Sequence, residues 1–179
     1  MGSVADIYQD CLDFTLGREG SWNPGGTLAD PQPTMFGVEQ ENYDTYRDGK
    51  KEPHQSVQLI SEAEVHEFYT WYFTRSGAAF CGPLTAMTVF DYAVNGGASM
   101  AAIVLQRALG VPADGLIGGE TQAAIIADDD AALANKFQWE KLRVYLTIVE
   151  KKPQDLPDLP SWLQRTLVFR EQHLKPVGL

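Results

Sequence analysis

Basic residues are scarce in this 179-residue chain: 14 Lys and Arg stand against 24 Asp and Glu, a formal net charge of -10. Binding a nucleic-acid backbone depends on clustered cations that displace condensed counterions. No such cluster stands out along the chain, so nucleic acid is excluded as a partner, while a neutral or zwitterionic polymer or a protein is compatible. No run approaches the ~20 apolar residues of a membrane span. The N-terminus lacks the basic-then-apolar order of a signal peptide, so the expectation is a protein made in the cytoplasm and carried by something else if it acts outside. Cysteine is limited to Cys11 and Cys81, far apart and at no metal-binding spacing. Buried thiols are expected, with a disulfide the alternative in an oxidising compartment. His54, His66 and His173 are equally scattered, and no pair has the helical spacing of a zinc site. Neither a metal nor a cofactor is therefore expected. Strand signals are few and no internal repeat occurs, which points to a mainly α fold.

What the chain does contain is a series of amphipathic helix patterns, with 44% apolar residues, enough to give one domain a core without staples. Val4, Ile7, Tyr8, Cys11, Phe14 and Thr15 fall on one helical face, and Gly17 is a natural stop. The stretch 16–38, LGREGSWNPGGTLADPQPTMFGV, then turns dense in Gly, Pro and Asp. Glu19 lies in it, at or just past a helix C-terminus. The partial negative charge there, together with burial against Trp22 or Phe36, disfavours the carboxylate and raises its pKa. A carboxylic acid held protonated near neutrality is what a general acid requires; a solvated charge at a helix end is the plainer alternative. The best place for a small β-hairpin is the same stretch, where Thr27-Leu28 and residues 34–38 flank turn residues.

Glu39 to Arg47 reads as a short helix carrying Tyr43 and Tyr46, ended by Asp48-Gly49 and followed by a polar connection over 50–56. Ser61 and Glu64 have capping-box spacing ahead of the apolar face Val65, Phe68, Tyr69 and Tyr72. Pro83 suits the first turn of the next helix, with Leu84, Met87, Phe90, Ala93 and Val94 as its buried stripe and Gly96-Gly97 as its stop. Asp91 and Asn95 share a face of this helix, four residues apart, and can reach a cleft or hold a neighbouring loop. Residues 98–109 form an Ala-rich helix, 110–119 a compact turn region, and 121–127 another short helix. The triplet Asp128 to Asp130 suits capping of the longest helix better than metal binding. In that helix Leu133, Phe137, Glu140, Val144 and Ile148 mark one side, and Trp139, Leu142, Tyr145 and Leu146 widen the apolar face. Residues 152–160 form a Pro-rich link without regular structure, leading to a last helix with Trp162, Leu163, Thr166 and Phe169.

Taken in order, these segments resemble glycoside hydrolase family 108, the N-acetylmuramidases of phage endolysins and some bacterial secretion-associated lysins. The resemblance runs from Asp6 to about Phe169. It rests first on Glu19-Gly20-Ser21, then Asp30, then Pro33-Thr34-Met35-Phe36-Gly37-Val38 and the run from Gln40 to Arg47. Phe90-Asp91-Tyr92-Ala93-Val94-Asn95-Gly96-Gly97, Leu105-Gln106-Arg107-Ala108-Leu109-Gly110, Asp114-Gly115-Leu116-Ile117-Gly118 and Thr121 look like the peptidoglycan-binding part usual in these enzymes. Within the loop, Ser21 stands where the family has Gly, the Gly-Gly before Thr34 is missing, and Glu39 replaces a Thr.

The resemblance implies a single lysozyme-like domain over 1–179, helical with a small hairpin or loop region after the first helix, its catalytic half at 1–82 and its peptidoglycan-binding half at 83–179. It implies a monomer that cleaves the β-1,4 bond between N-acetylmuramic acid and N-acetylglucosamine. Glu19 is then the general acid, Asp30 orients water and Thr34 assists, while Asn95, Gln106 and Asp91 hold sugar hydroxyls or N-acetyl groups. The site of action is the periplasm or cell wall, reached through a holin, a phage particle or a secretion apparatus, with a phage-tail or secretion-system partner in the last two cases. Two other readings stand beside this one: a wall-binding or structural module whose hydrolase loop has decayed, and a lytic transglycosylase using the same acid.

Overall fold

A computed structural model describes Tyr8, Gln9, Leu12 and residues 22–26 and 32–173, with 172 and 173 described by their backbone alone. Glu19, Asp30, Cys11, the Gly17 stop and Thr27-Leu28 lie outside the described residues. Of the first helix pattern, Tyr8, Gln9 and Leu12 are in helical backbone. The chain divides into two compact units, residues 1–74 and 75–179.

The first unit carries an antiparallel meander of three two-residue strands, β1 (Trp22–Asn23), β2 (Thr34–Met35) and β3 (Val38–Glu39), in the order β1-β2-β3. Phe36 and Gly37 join β2 to β3, both at positive φ, 52° and 75°. A two-residue connection with both φ positive matches the right-handed twist of the strands it joins. The phenylalanine is the uncommon member, and the Tyr69 hydroxyl donates to its carbonyl at 2.7 Å. Gly25 permits a second close approach: a Cβ there would lie 2.5 Å from the Gln32 carbonyl carbon.

Helix α1 (Gln40–Lys50) follows directly, then a 3-10 turn at Val57–Leu59 and helix α2 (Glu62–Arg75). The α1 helix runs through Asp48-Gly49 and stops at Lys51, whose φ of 59° places the left-handed cap two residues later than the Gly signal suggests. Two side chains, buried Arg47 and half-buried Gln40, secure the 51–56 connection. Arg47 donates to the Pro53 carbonyl at 2.6 Å and to Glu64 at 2.7 Å, and Gln40 bonds both the Gln55 carbonyl and the Val57 amide. Ser61 does cap α2, accepting from the Glu64 amide at 3.3 Å, but the Glu64 carboxylate is engaged by Arg47. The core of this unit is aromatic: Tyr43, Tyr46, Phe68, Tyr69, Tyr72 and Phe73 are all buried, and Phe68 stacks on Tyr72 with centroids 5.2 Å apart.

The second unit is helical: α3 (Pro83–Gly96), α4 (Ala98–Leu109), α5 (Gly119–Ala127), α6 (Asp130–Lys151) and α7 (Leu159–His173). Helices α3, α4 and α6 pack mutually around Val89, Phe90, Ala101, Leu105, Leu133 and Phe137, all but inaccessible to solvent. The Ala-rich face of α4 lets the axes approach closely. Each acid of the 128–130 triplet has its own structural use. Asp128 pairs with Lys136 at 2.7 Å, Asp129 caps α6 by accepting from Ala132, and Asp130 caps α3 by accepting from the Leu84 and Thr85 amides at 3.0 and 2.9 Å. The Pro-rich segment is regular after all: Pro153–Asp158 is a 3-10 helix that runs straight into α7. Proline at an early helical position removes only an amide that has no intrahelical acceptor. The architecture is thus mainly α with a small sheet early in the chain.

Candidate functional site

Thr34 is placed by the sheet. Cross-strand partners project to the same face, and Thr34 pairs with both Asn23 and Glu39. Met35 pairs with Trp22 and Val38; Val38 is buried and Glu39 exposed, so that second row turns inward at Val38, while Trp22 at its other end is exposed. Asn23, Thr34 and Glu39 therefore form a polar row on the outer face. The flanking members are oriented locally: Asn23 accepts from the Gly25 amide at 2.9 Å and Glu39 accepts from Asn42 at 3.0 Å. The Thr34 hydroxyl takes no hydrogen-bond partner among the described residues. This row was missed by reading the sequence, because strands of two residues leave no alternation to detect.

Asp91 and Asn95 do come together, and what joins them is Arg165 of α7. Its Nε lies 3.0 Å from both Asp91 carboxylate oxygens and its Nη2 bonds one of them, while Nη1 donates to the Asn95 carbonyl oxygen at 2.9 Å. The Asn95 amide nitrogen donates back to the Asp91 main-chain oxygen. Asp91 is buried and its carboxylate is taken up by this pair, which clamps α7 to α3. Gln106 is engaged elsewhere in the unit. Its amide nitrogen donates to Asp114, the Leu116 carbonyl and Thr121, and its oxygen accepts from the Gly115 amide at 2.8 Å. Gln106 is thus the internal strut of the 110–119 turn region, with both ends of its amide occupied. Thr34 belongs to the first unit, and these three residues to the second.

Beside the Asp91 clamp lies a cavity of about 480 Å³ lined by Tyr92, Tyr145 and Trp162 with Asn95 and Arg165 at its polar edge. Tyr145 and Trp162 have centroids 5.1 Å apart. Burial raises the Tyr92 hydroxyl to about 12 and pushes Tyr145 up as well, so both remain neutral donors. Lys141 is buried on the adjoining face of α6, its ammonium 5.9 Å from the Tyr92 ring centroid. Desolvation lowers it to about 8, against the upward pull of Asp91 and with the downward push of Arg165. Arg165, Trp162 and Lys141 are the members that sequence reading missed. No group of three or more His, Cys, Asp or Glu able to hold a metal occurs among the described residues. No helix among them is long and apolar enough to cross a membrane.

Comparison with known proteins adds the family. The profile described as "Glycosyl hydrolase 108" matches residues 12–97, and that described as "Predicted Peptidoglycan domain" matches residues 100–167. The hydrolase match extends through α3, which packs in the second compact unit, so the sequence boundary falls later in the chain than the structural one. No curated protein matches the chain significantly. Among solved structures, SagA of Brucella abortus shares the fold, with a TM-score of 0.69 and 19% identity over 92% of this chain and 96% of that one. The two profiles, in this order and together spanning most of its length, place the chain among the family 108 glycoside hydrolases with a C-terminal peptidoglycan domain, as a hydrolase directed at peptidoglycan.

Proposed function

We propose that the protein is an N-acetylmuramidase, hydrolysing the β-1,4 bond between N-acetylmuramic acid and N-acetylglucosamine. The observation that carries this reading is the hydrolase match over 12–97, which encloses Glu19, Asp30 and Thr34 and is followed directly by the peptidoglycan domain. Glu19 delivers the proton to the departing glycosidic oxygen. Asp30 orients a water on the opposite face of the sugar, which inverts the anomeric centre and requires the two carboxyl groups to stand roughly 6.5–9.5 Å apart. The Thr34 hydroxyl, in the outward row of the sheet, assists by holding that water. In the sequence Trp22 of β1 comes three residues after Glu19 and Thr34 of β2 four residues after Asp30, and β1 and β2 are paired strands.

In this reading the first part of the chain cuts and the second holds the wall, the protein acting as a monomer in the periplasm or at the cell wall after release by a holin, a phage particle or a secretion apparatus. Purified peptidoglycan should lose turbidity with the wild type and not with Glu19→Gln of unchanged circular dichroism. Mass spectra should show reducing muramic acid ends; anhydro ends, one water lighter, would assign a transglycosylase. Binding to peptidoglycan with no cleavage by the wild type refutes the enzyme and leaves a wall-binding module.

A further inference from the structure

A second cavity, of about 500 Å³, adjoins the aromatic one and shares four lining residues with it, Met100, Val144, Ile148 and Trp162. Both fall within the roughly 300–1,000 Å³ usual for small-ligand sites. The second cavity differs in charge. Arg107, Lys151 and Lys152 line it against the single acid Asp155, in a chain whose net charge is -10. All three cations are exposed, and none forms an ion pair among the described residues. One basic residue in the last turn of a helix is sufficiently explained by the macrodipole. The dipole gives no reason for the ends of α4 and α6 to deliver three cations to one cavity, with Trp162 lining both that cavity and the aromatic one.

We propose that this two-part groove binds a muropeptide: the aromatic sector, with Trp162 at its centre, takes the sugar, and Arg107, Lys151 and Lys152 take the free carboxylates of the stem peptide. The inference rests on the peptidoglycan reading of the chain and adds which part of the polymer the second unit recognises. Stem peptides carry several carboxylates close to a neutral, N-acetylated sugar, and the groove repeats that order of charge and apolar surface. On an acidic protein, which repels polyanions at long range, a local cationic pocket admits the substrate in one orientation.

The test is a titration of the full-length protein with synthetic N-acetylglucosaminyl-N-acetylmuramoyl tetrapeptide, and with the same compound bearing its carboxylates as primary amides. This disaccharide lacks the bond a muramidase cuts, so binding is read apart from catalysis. The acid form should bind, quenching tryptophan emission in the wild type but not in Trp162→Phe. Its affinity should fall about tenfold in the triple variant Arg107→Glu, Lys151→Glu, Lys152→Glu, with a flatter salt dependence, whereas the amidated form binds weakly and alike to both proteins. Because the three side chains are exposed, the triple variant keeps its fold, which thermal melting verifies. Equal affinity for the two forms, or wild-type affinity in the triple variant, overturns the proposal. Cleavage of peptidoglycan without such binding defeats only this inference; charge-dependent binding without cleavage defeats only the muramidase.

Discussion

Replacing Asp91 by Asn separates a structural clamp from a sugar contact. The carboxylate is almost wholly enclosed, with 6% of its side-chain surface accessible against 27% for Arg165. Three guanidinium contacts reach it, two of them at 3.0 Å. Removing one member of a buried pair leaves the other unpaired and costs roughly 3–5 kcal/mol. Asn keeps one acceptor and Arg165 is a quarter exposed, so about 2–3 kcal/mol is expected here, a fall in melting temperature of about 10 °C for a unit of this size. A second consequence runs through Lys141. Asp91 pulls its pKa up against burial, so neutralising Asp91 penalises the ammonium further, but only where Lys141 is protonated in the folded state. The loss should therefore be larger at pH 6 than at pH 9. Thermal melts at the two values, with muropeptide binding measured on the folded protein, make the comparison. A melting temperature unchanged within about 1 °C together with lost binding would refute the clamp and return Asp91 to the substrate.

Lys141 itself predicts a rise of stability with pH. The unfolded side chain holds its proton to about 10.4 and the folded one only to about 8, so the unfolded state binds more protons between these values and stability climbs by up to about 3 kcal/mol. Above about pH 10 the unfolded tyrosines ionise before the buried Tyr92 and Tyr145, which reverses the gain; Lys141→Met should flatten the rise in urea midpoints between pH 7 and 10. Gly82→Ala should cost about 1–2 kcal/mol, the worth of a helix cap, because a Cβ there would lie 2.5 Å from Asp130 Cγ; in an Asp130→Ala background the same change should cost little, as a double-mutant cycle will show. Gln106→Leu should destabilise by about 2–4 kcal/mol and speed hydrogen exchange at Gly115 and Leu116; a neutral Gln106→Leu with impaired muropeptide binding would reverse that assignment.

The parts of the fold legible in the sequence are those whose cause is local. Pro83 at the start of α3, Gly96-Gly97 at its end, Ser61 before α2 and Asp129 before α6 act within a turn of where they stand, and each does in the structure what its chemistry suggests. Legibility ends where a distant residue decides. The Gly49 stop is overrun because Lys50 bonds Tyr46 and Glu67 and draws α1 onward, and Asp130 caps α3 at the Leu84 amide, 46 residues earlier in the chain. The spacing of Asp91 and Asn95 correctly placed them on one face, but no periodicity names Arg165, 74 residues on, as the group that occupies them. The same limit hid the groove, since Arg107 and Lys151 each look like an ordinary helix-end cation until the packed helices bring them to one cavity with Trp162. Residues that bind by convergence carry no signal in their own neighbourhoods. A family resemblance nominates Glu19, Asp30 and Thr34 because a motif is a local record of such convergence, and where that record thins, as in the second unit, only packing shows which polar groups are already occupied.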